Sequence, residues 1–192
     1  MADGTAKTQP NPVMQTIQVS DRLVAKTLEP YKPECRYLKS AVVEYAKDDP
    51  FAHLSMRGKF SIPESCYIAD TGHFNAVEFN ICFNQLAYTI VAACIENRVL
   101  PVFNHLTLDE YHRRQLGHFL IVSLQSRFSS QINARDFEGT IHAQHMNELR
   151  GTVVFHTTCE FTDSLSGRAR GKVTLAMLDI APAPKTPESQ AT

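Results

Sequence analysis

Residues 74–95 hold an apolar run too broad for an amphipathic surface helix and too short to cross a membrane. Phe74, Val77, Phe79, Ile81, Phe83, Leu86, Ile90 and Val91 all fall within it, so a helix built there is apolar on nearly every side and has to be buried along its length. Its most continuous part, Leu86 to Ile95, is interrupted by Tyr88 and Thr89 and falls well below the ~20 residues of a bilayer span. A central helix is expected over roughly Asn75 to Glu96, and the rest of the chain must be able to enclose it.

The polar residues of this helix are not scattered. At ~100° per residue, Asn75, Glu78, Cys82, Gln85 and Thr89 share one narrow sector. An isolated buried carboxylate is costly, so Glu78 needs hydrogen-bond partners or a role in proton transfer. Asn75 followed three residues later by Glu78 also spells a capping box, which would stabilise the helix without any chemistry. Spacing alone leaves the two readings level.

The approach to the helix is Ser65-Cys-Tyr-Ile-Ala-Asp-Thr-Gly-His-Phe-Asn-Ala-Val-Glu78, which gathers Tyr67, Asp70, His73, Asn75 and Glu78 around a glycine. A helix start offers unpaired backbone N–H groups and a positive dipole end, both suited to a developing oxyanion. The N–H groups of Ala76 and Val77 are the expected donors. His73 lies beside Glu78 in the string, and imidazole titrates near neutrality, so the two are the expected catalytic pair.

On either side the pattern changes. Ser20 is placed to cap a short helix carrying Leu23, Val24 and Leu28, which Pro30 and Pro33 stop, with Tyr31 at its exit. Alternation predicts strands within Arg36 to Lys47 and His53 to Ile62. Beyond the central helix, Thr107 with Glu110 caps a charged surface helix. Strand-like runs follow at about 118–128, 137–148, 152–162 and 167–180, separated by Asn133-Ala-Arg-Asp136, Gly151 and Asp163-Ser-Leu-Ser-Gly167. Segregated helices with an antiparallel sheet make an α+β domain. One sheet wrapped around one buried helix is the hot-dog arrangement, and it accounts for a helix that is apolar all round.

The 192 residues, 43% of them hydrophobic, can bury one core. A single domain is expected over 20–180, between mobile tails at 1–19 and 181–192, which are poor in anything to bury. A net charge of -1 gives no drive toward nucleic acid or an anionic membrane. With no signal-peptide pattern at the N-terminus, the protein is expected in the cytoplasm. The five cysteines, 35, 66, 82, 94 and 159, have no paired spacing, so neither a disulfide framework nor a zinc site is indicated. His142 and His145 invite a metal reading, yet three residues apart on a regular strand they point to opposite faces, so no metal is expected. No phosphate-binding glycine loop and no Gly-x-Ser-x-Gly elbow is present. Arg113, Arg114, Arg168, Arg170 and Lys172 form either a basic rim for an acidic carrier protein or coenzyme A phosphate, or simply a solvated charged face.

Leu28-Glu-Pro-Tyr31, Cys35-Arg-Tyr-Leu38, the Tyr67 to Glu78 string, Cys82-Phe-Asn-Gln-Leu-Ala-Tyr88 and Ser126-Arg-Phe128 together resemble the actinobacterial FcoT-like family of hot-dog proteins over roughly residues 20 to 180. The family was first described as long-chain acyl-CoA thioesterases. Members from isonitrile-lipopeptide and macrolactam pathways add glycine to the β-carbon of a 2-enoyl thioester on an acyl carrier protein. The resemblance implies an acyl-thioester site with family positions at Tyr31, Tyr67, Asn75 and Asn84, assembled in at least a homodimer, needing no cofactor, with the substrate carried on acyl carrier protein or coenzyme A. Glycine addition is the leading expectation, fatty acyl thioester hydrolysis the second, and a non-enzymatic carrier-binding protein the third.

Overall fold

The computed structural model describes residues 12–69, 71–149 and 151–179. Seven strands form one sheet: β1 (Met14–Gln18), β2 (Leu38–Ala46), β3 (Ser55–Phe60), β4 (Phe119–Ser130), β5 (Phe137–Leu149), β6 (Thr152–Thr162) and β7 (Arg168–Met177). Their order across the sheet is β1-β2-β3-β5-β6-β7-β4, with every neighbouring pair antiparallel. Three helices, α1 (Asp21–Thr27), α2 (Ala76–Glu96) and α3 (Leu108–His118), complete the domain. The sheet wraps α2, and the fold is the α+β hot-dog expected from the buried helix.

Local chemistry sets the helix ends. The Ser20 hydroxyl accepts the Leu23 N–H at 3.2 Å to cap α1, and Thr107 with Glu110 forms a capping box on α3. α2 runs 21 residues, of which 15 are buried. It lies close to the sheet because glycines face it: a Cβ on Gly171 would lie 2.6 Å from Phe79 Cζ. Gly139 likewise leaves its space to the Phe161 ring. Phe74, Phe79, Phe137 and Phe161 then interlock, with ring centroids 4.8 Å apart for Phe74 and Phe137 and 4.9 Å for Phe79 and Phe161. This aromatic cluster anchors the start of α2 to the sheet.

Three expectations need correction. Residues 14–18, placed in the N-terminal tail by their sequence, form edge strand β1 against β2. Only Ile17 of the five is even half-buried, so no alternation marks the strand; backbone pairing with β2 orders it, helped by Ile17 against the core and by the Gln18 amide on the Ala41 carbonyl. Val19, also placed in that tail, is buried in the core, and residues 1–11 and 181–192 lie outside the described residues. His142 and His145 do not point to opposite faces. A bulge between Ala143 and His145 shifts the register, so His142 pairs with Thr158 and His145 with His156, placing both imidazoles on the outer face. His145 and His156 stack there at 5.9 Å. Among the described residues no group of three or more metal-ligating side chains is placed to hold an ion, and no helix is long and apolar enough to cross a membrane. The third correction, to the expected roles of Val77 and of His73 beside Glu78, belongs to the site.

Candidate active site

The approach loop makes its last turn at Gly72, with φ of 77°, a left-handed conformation that glycine adopts without strain. His73 closes this turn on itself: its Nδ1–H donates to the Thr71 carbonyl at 3.0 Å while the Thr71 hydroxyl donates to the His73 carbonyl at 2.9 Å. That bond leaves the Nε2 lone pair of a neutral imidazole open. Phe74 is buried in the aromatic cluster, and α2 begins two residues later.

Asn75 organises the helix start. Its Oδ1 accepts three bonds, from the Tyr67 hydroxyl at 2.8 Å, the Val77 N–H at 3.0 Å and the Glu78 N–H at 3.2 Å. Its Nδ2 is enclosed and has no hydrogen-bond partner among the described residues. The Glu78 carboxylate, only 2% exposed, returns the favour by accepting the Asn75 N–H at 3.1 Å. The capping box is therefore complete. Val77, expected to offer its N–H to a ligand, instead gives it to Asn75, because an asparagine N-cap satisfies the second and third helical donors itself. The Ala76 N–H is left without a partner among the described residues.

The polar stripe of α2 faces the segment that follows α1. Burial pushes the Tyr31 phenol far above the ordinary tyrosine range, with Tyr88 and Cys82 adding to it, so Tyr31 is a neutral O–H donor throughout the physiological range. Burial likewise pushes the Cys82 thiol well up, reinforced by the Glu78 carboxylate and by Cys66. Gln85, one turn below, is a clamp: its Oε1 accepts the N–H groups of Tyr37 and Leu38 at 3.0 and 2.9 Å, and its Nε2 donates to the Cys35 carbonyl at 2.6 Å. Arg36 fixes the same segment from outside, donating to the Tyr31 and Glu29 carbonyls at 3.0 Å each.

The structure brings together Tyr67, Asn75, Ala76 and Glu78 at the helix start, with Tyr31 further along α2 near Cys82 and Tyr88. It does not join His73 to Glu78, which share no hydrogen bond or ion pair among the described residues; His73 lines an open cavity of about 420 Å³ with Asn75, Ala76 and Phe128. Asn84 lies ~120° around the helix from Glu78, in the half-open sector of Val77, Asn80 and Ile81. Asp70 falls outside the described residues. Phe128, at the far end of β4, was not singled out as a site residue. The two register shifts in β4 hide from its alternation that Phe128 turns inward to the rings of Phe74 and Phe79 at 6.2 and 5.8 Å.

A hot-dog sheet around a helix whose start holds a capped carboxylate defines the thioesterase-like class of domain. More narrowly, the chain belongs to the FcoT-like thioesterase family, whose domain model matches residues 26–177. Relatives named (2E)-enoyl-[ACP] glycyltransferase include one from Streptomyces coeruleorubidus, 36% identical over 165 residues that make up 83% of this chain and 98% of that one. Another, from Mycobacterium marinum, is 37% identical over 169 residues, 86% of this chain and 90% of that one. Among solved structures, the dehydratase domain of RzxB from Pseudomonas fluorescens superposes with a TM-score of 0.54 at 9% identity, covering 84% of this chain and 50% of that one; the likeness is one of fold.

Proposed function

We propose that this protein adds glycine to the β-carbon of a 2-enoyl thioester, giving an N-carboxymethyl-3-aminoacyl thioester. The observation that carries the reading is the buried carboxylate of Glu78 at the start of α2, in a chain whose relatives named as glycyltransferases match it over most of its length. The reaction needs a neutral amine, a donor for the oxyanion and a proton for the α-carbon. Glu78 takes a proton from the glycine ammonium, the freed nitrogen pair attacks the β-carbon, and the double-bond electrons move through the α-carbon onto the thioester oxygen. The Ala76 N–H and the Asn75 Nδ2–H, both without partners among the described residues, supply the donors. Glu78 returns its proton to the α-carbon as the enolate collapses. No redox change and no cofactor is needed.

Tyr67 holds Asn75 in place, and Tyr31 lines the site further along α2, near Cys82 and Tyr88. His73, with its open Nε2, faces the mouth where glycine enters. The acyl group arrives on an acyl carrier protein in the cytoplasm, and the product is a β-amino acid unit for secondary metabolism, formed by a lyase-type reaction run in the direction of addition.

The active unit is a homodimer. β4 is one free edge of the sheet and exposes Leu120, Val122 and Phe128, while Val77, Asn80, Ile81 and Asn84 leave one sector of an otherwise buried helix partly open. A second copy across this edge covers both and walls one side of the cavity at His73, leaving its mouth open. The test is direct: the pure protein is incubated with a 2-enoyl thioester with and without glycine, and the products are read by mass spectrometry. Glycine-dependent mass gain is expected; release of free acid in both arms identifies a thioesterase, and no change in either arm identifies a binding protein.

A further inference from the structure

The outer face of the sheet carries a charge the reaction does not use. Pairing across β4, β7 and β6 sets Arg127 beside Arg170, and Arg170 beside Glu160, with Lys172 between Gln125 and Thr158. These three strands hold four permanent cations, Arg127, Arg168, Arg170 and Lys172, and one carboxylate, Glu160. Glu160 is already bonded to both Arg168 and Arg170, while Arg127 and Lys172 have no ion-pair partner among the described residues. An open groove of about 800 Å³ runs through this patch, lined by Arg127, Arg170, Lys172 and His142 around Glu160. The chain as a whole has a net charge of -1, so the cations are concentrated here.

Position gives the patch its meaning. Arg127 lines the groove and its neighbour Phe128 lines the cavity at His73 and Ala76. Alternation along β4 turns the two side chains to opposite faces of the sheet, so groove and active-site mouth meet at consecutive residues. A phosphopantetheine arm is longer than one sheet is thick.

Resting on the glycine-addition reading, we propose that this groove docks the acidic surface of an acyl carrier protein, holding it where its prosthetic arm reaches the start of α2. A second copy of this chain is a poor occupant, because it would bring two surplus-positive faces together, whereas an acidic partner is steered in and registered by them.

The experiment measures anisotropy of a labelled holo acyl carrier protein, and kinetics with one 2-enoyl chain on carrier protein, on coenzyme A and on N-acetylcysteamine. Arg127 and Lys172 are exposed, so the R127E/K172E double variant is expected to fold. It should weaken carrier binding and raise KM for the carrier-bound substrate about tenfold or more, with kcat and N-acetylcysteamine turnover unchanged. Unaltered carrier binding overturns the proposal. An equal rise in KM for the coenzyme A thioester also overturns it, since the groove then reads phosphate rather than a protein surface. Wild-type protein that binds the carrier yet adds glycine to no thioester refutes the reaction and leaves the docking surface standing.

Discussion

The Asn75 amide oxygen accepts the Glu78 N–H at 3.2 Å while the Glu78 carboxylate accepts the Asn75 N–H at 3.1 Å. The helix cap and the proposed base are thus the same pair of side chains. The two readings that residue spacing leaves level are not alternatives, and variants have to be chosen to separate them.

Glu78→Gln does so. A glutamine oxygen still accepts the Asn75 N–H, as capping boxes allow, but the side chain can no longer take a proton from glycine. Turnover is expected to fall about 10²-fold or more, with Tm unchanged within ~2 °C. Near-normal turnover would reduce Glu78 to a cap.

Asn75→Asp and Asn75→Ala split the cap from the donor. Aspartate keeps an acceptor for the Val77 and Glu78 N–H groups and suits the helix dipole, but removes the Nδ2–H offered to the thioester oxygen. Asn75→Asp should retain stability and lose on the order of 10²-fold in kcat. Asn75→Ala should lose activity and about 1 kcal/mol of stability together. Equal kcat for Asn75→Asp and wild type in steady-state assays would exclude the amide as a donor.

Gln85→Leu should damage the scaffold before the chemistry. It strands the Tyr37 and Leu38 N–H groups and the Cys35 carbonyl in a buried setting, at a cost of roughly 2–4 kcal/mol, which corresponds to a Tm drop of roughly 5–12 °C by calorimetry for a chain of this size. A Tm within ~2 °C of wild type would mean that the 35–38 segment is held by something else.

Glu160 predicts an acid-range effect. Hydrogen bonds from Arg168, and then from Arg170, hold its carboxyl down at about 2 against an ordinary value of 4.5. The unfolded chain takes up the proton first, so the stability due to Glu160 is whole above pH ~4.5, declines as pH falls, and is gone below ~2. The Tm gap between wild type and Glu160→Gln at low salt should therefore be largest at pH 6 and close on titration toward pH 2. The pair is part-exposed, so the gap is small and shrinks with added salt. A gap that widens toward pH 2 contradicts the assignment.

What residue pattern could express was read correctly where the signal was local. Caps at Ser20, Asn75 and Thr107 rest on residues three apart, and the burial of α2 rests on its own composition. The edge strand at 14–18 carries no alternation because its order comes mainly from backbone pairing with β2. His142 and His145 were assigned opposite faces because a bulge is a property of two strands, and one strand's alternation cannot reveal it. The Val77 N–H was assigned to a ligand because spacing names the N-cap residue but not which donors its side chain takes. Gln85 stood in the polar stripe, yet its partners lie 47 to 50 residues earlier in the chain, beyond the reach of any local rule.

Strand β4, 12 residues long, pairs with β7 on one side and, among the described residues, has no strand on the other. With the dimer inferred above, making the protein and assembling it are one event of second order. Newly made chains meet in proportion to the square of their concentration, so at low expression the bare margins persist and stay open to mismatched strands. A cell that halves the synthesis of such a chain loses more than half of its working enzyme.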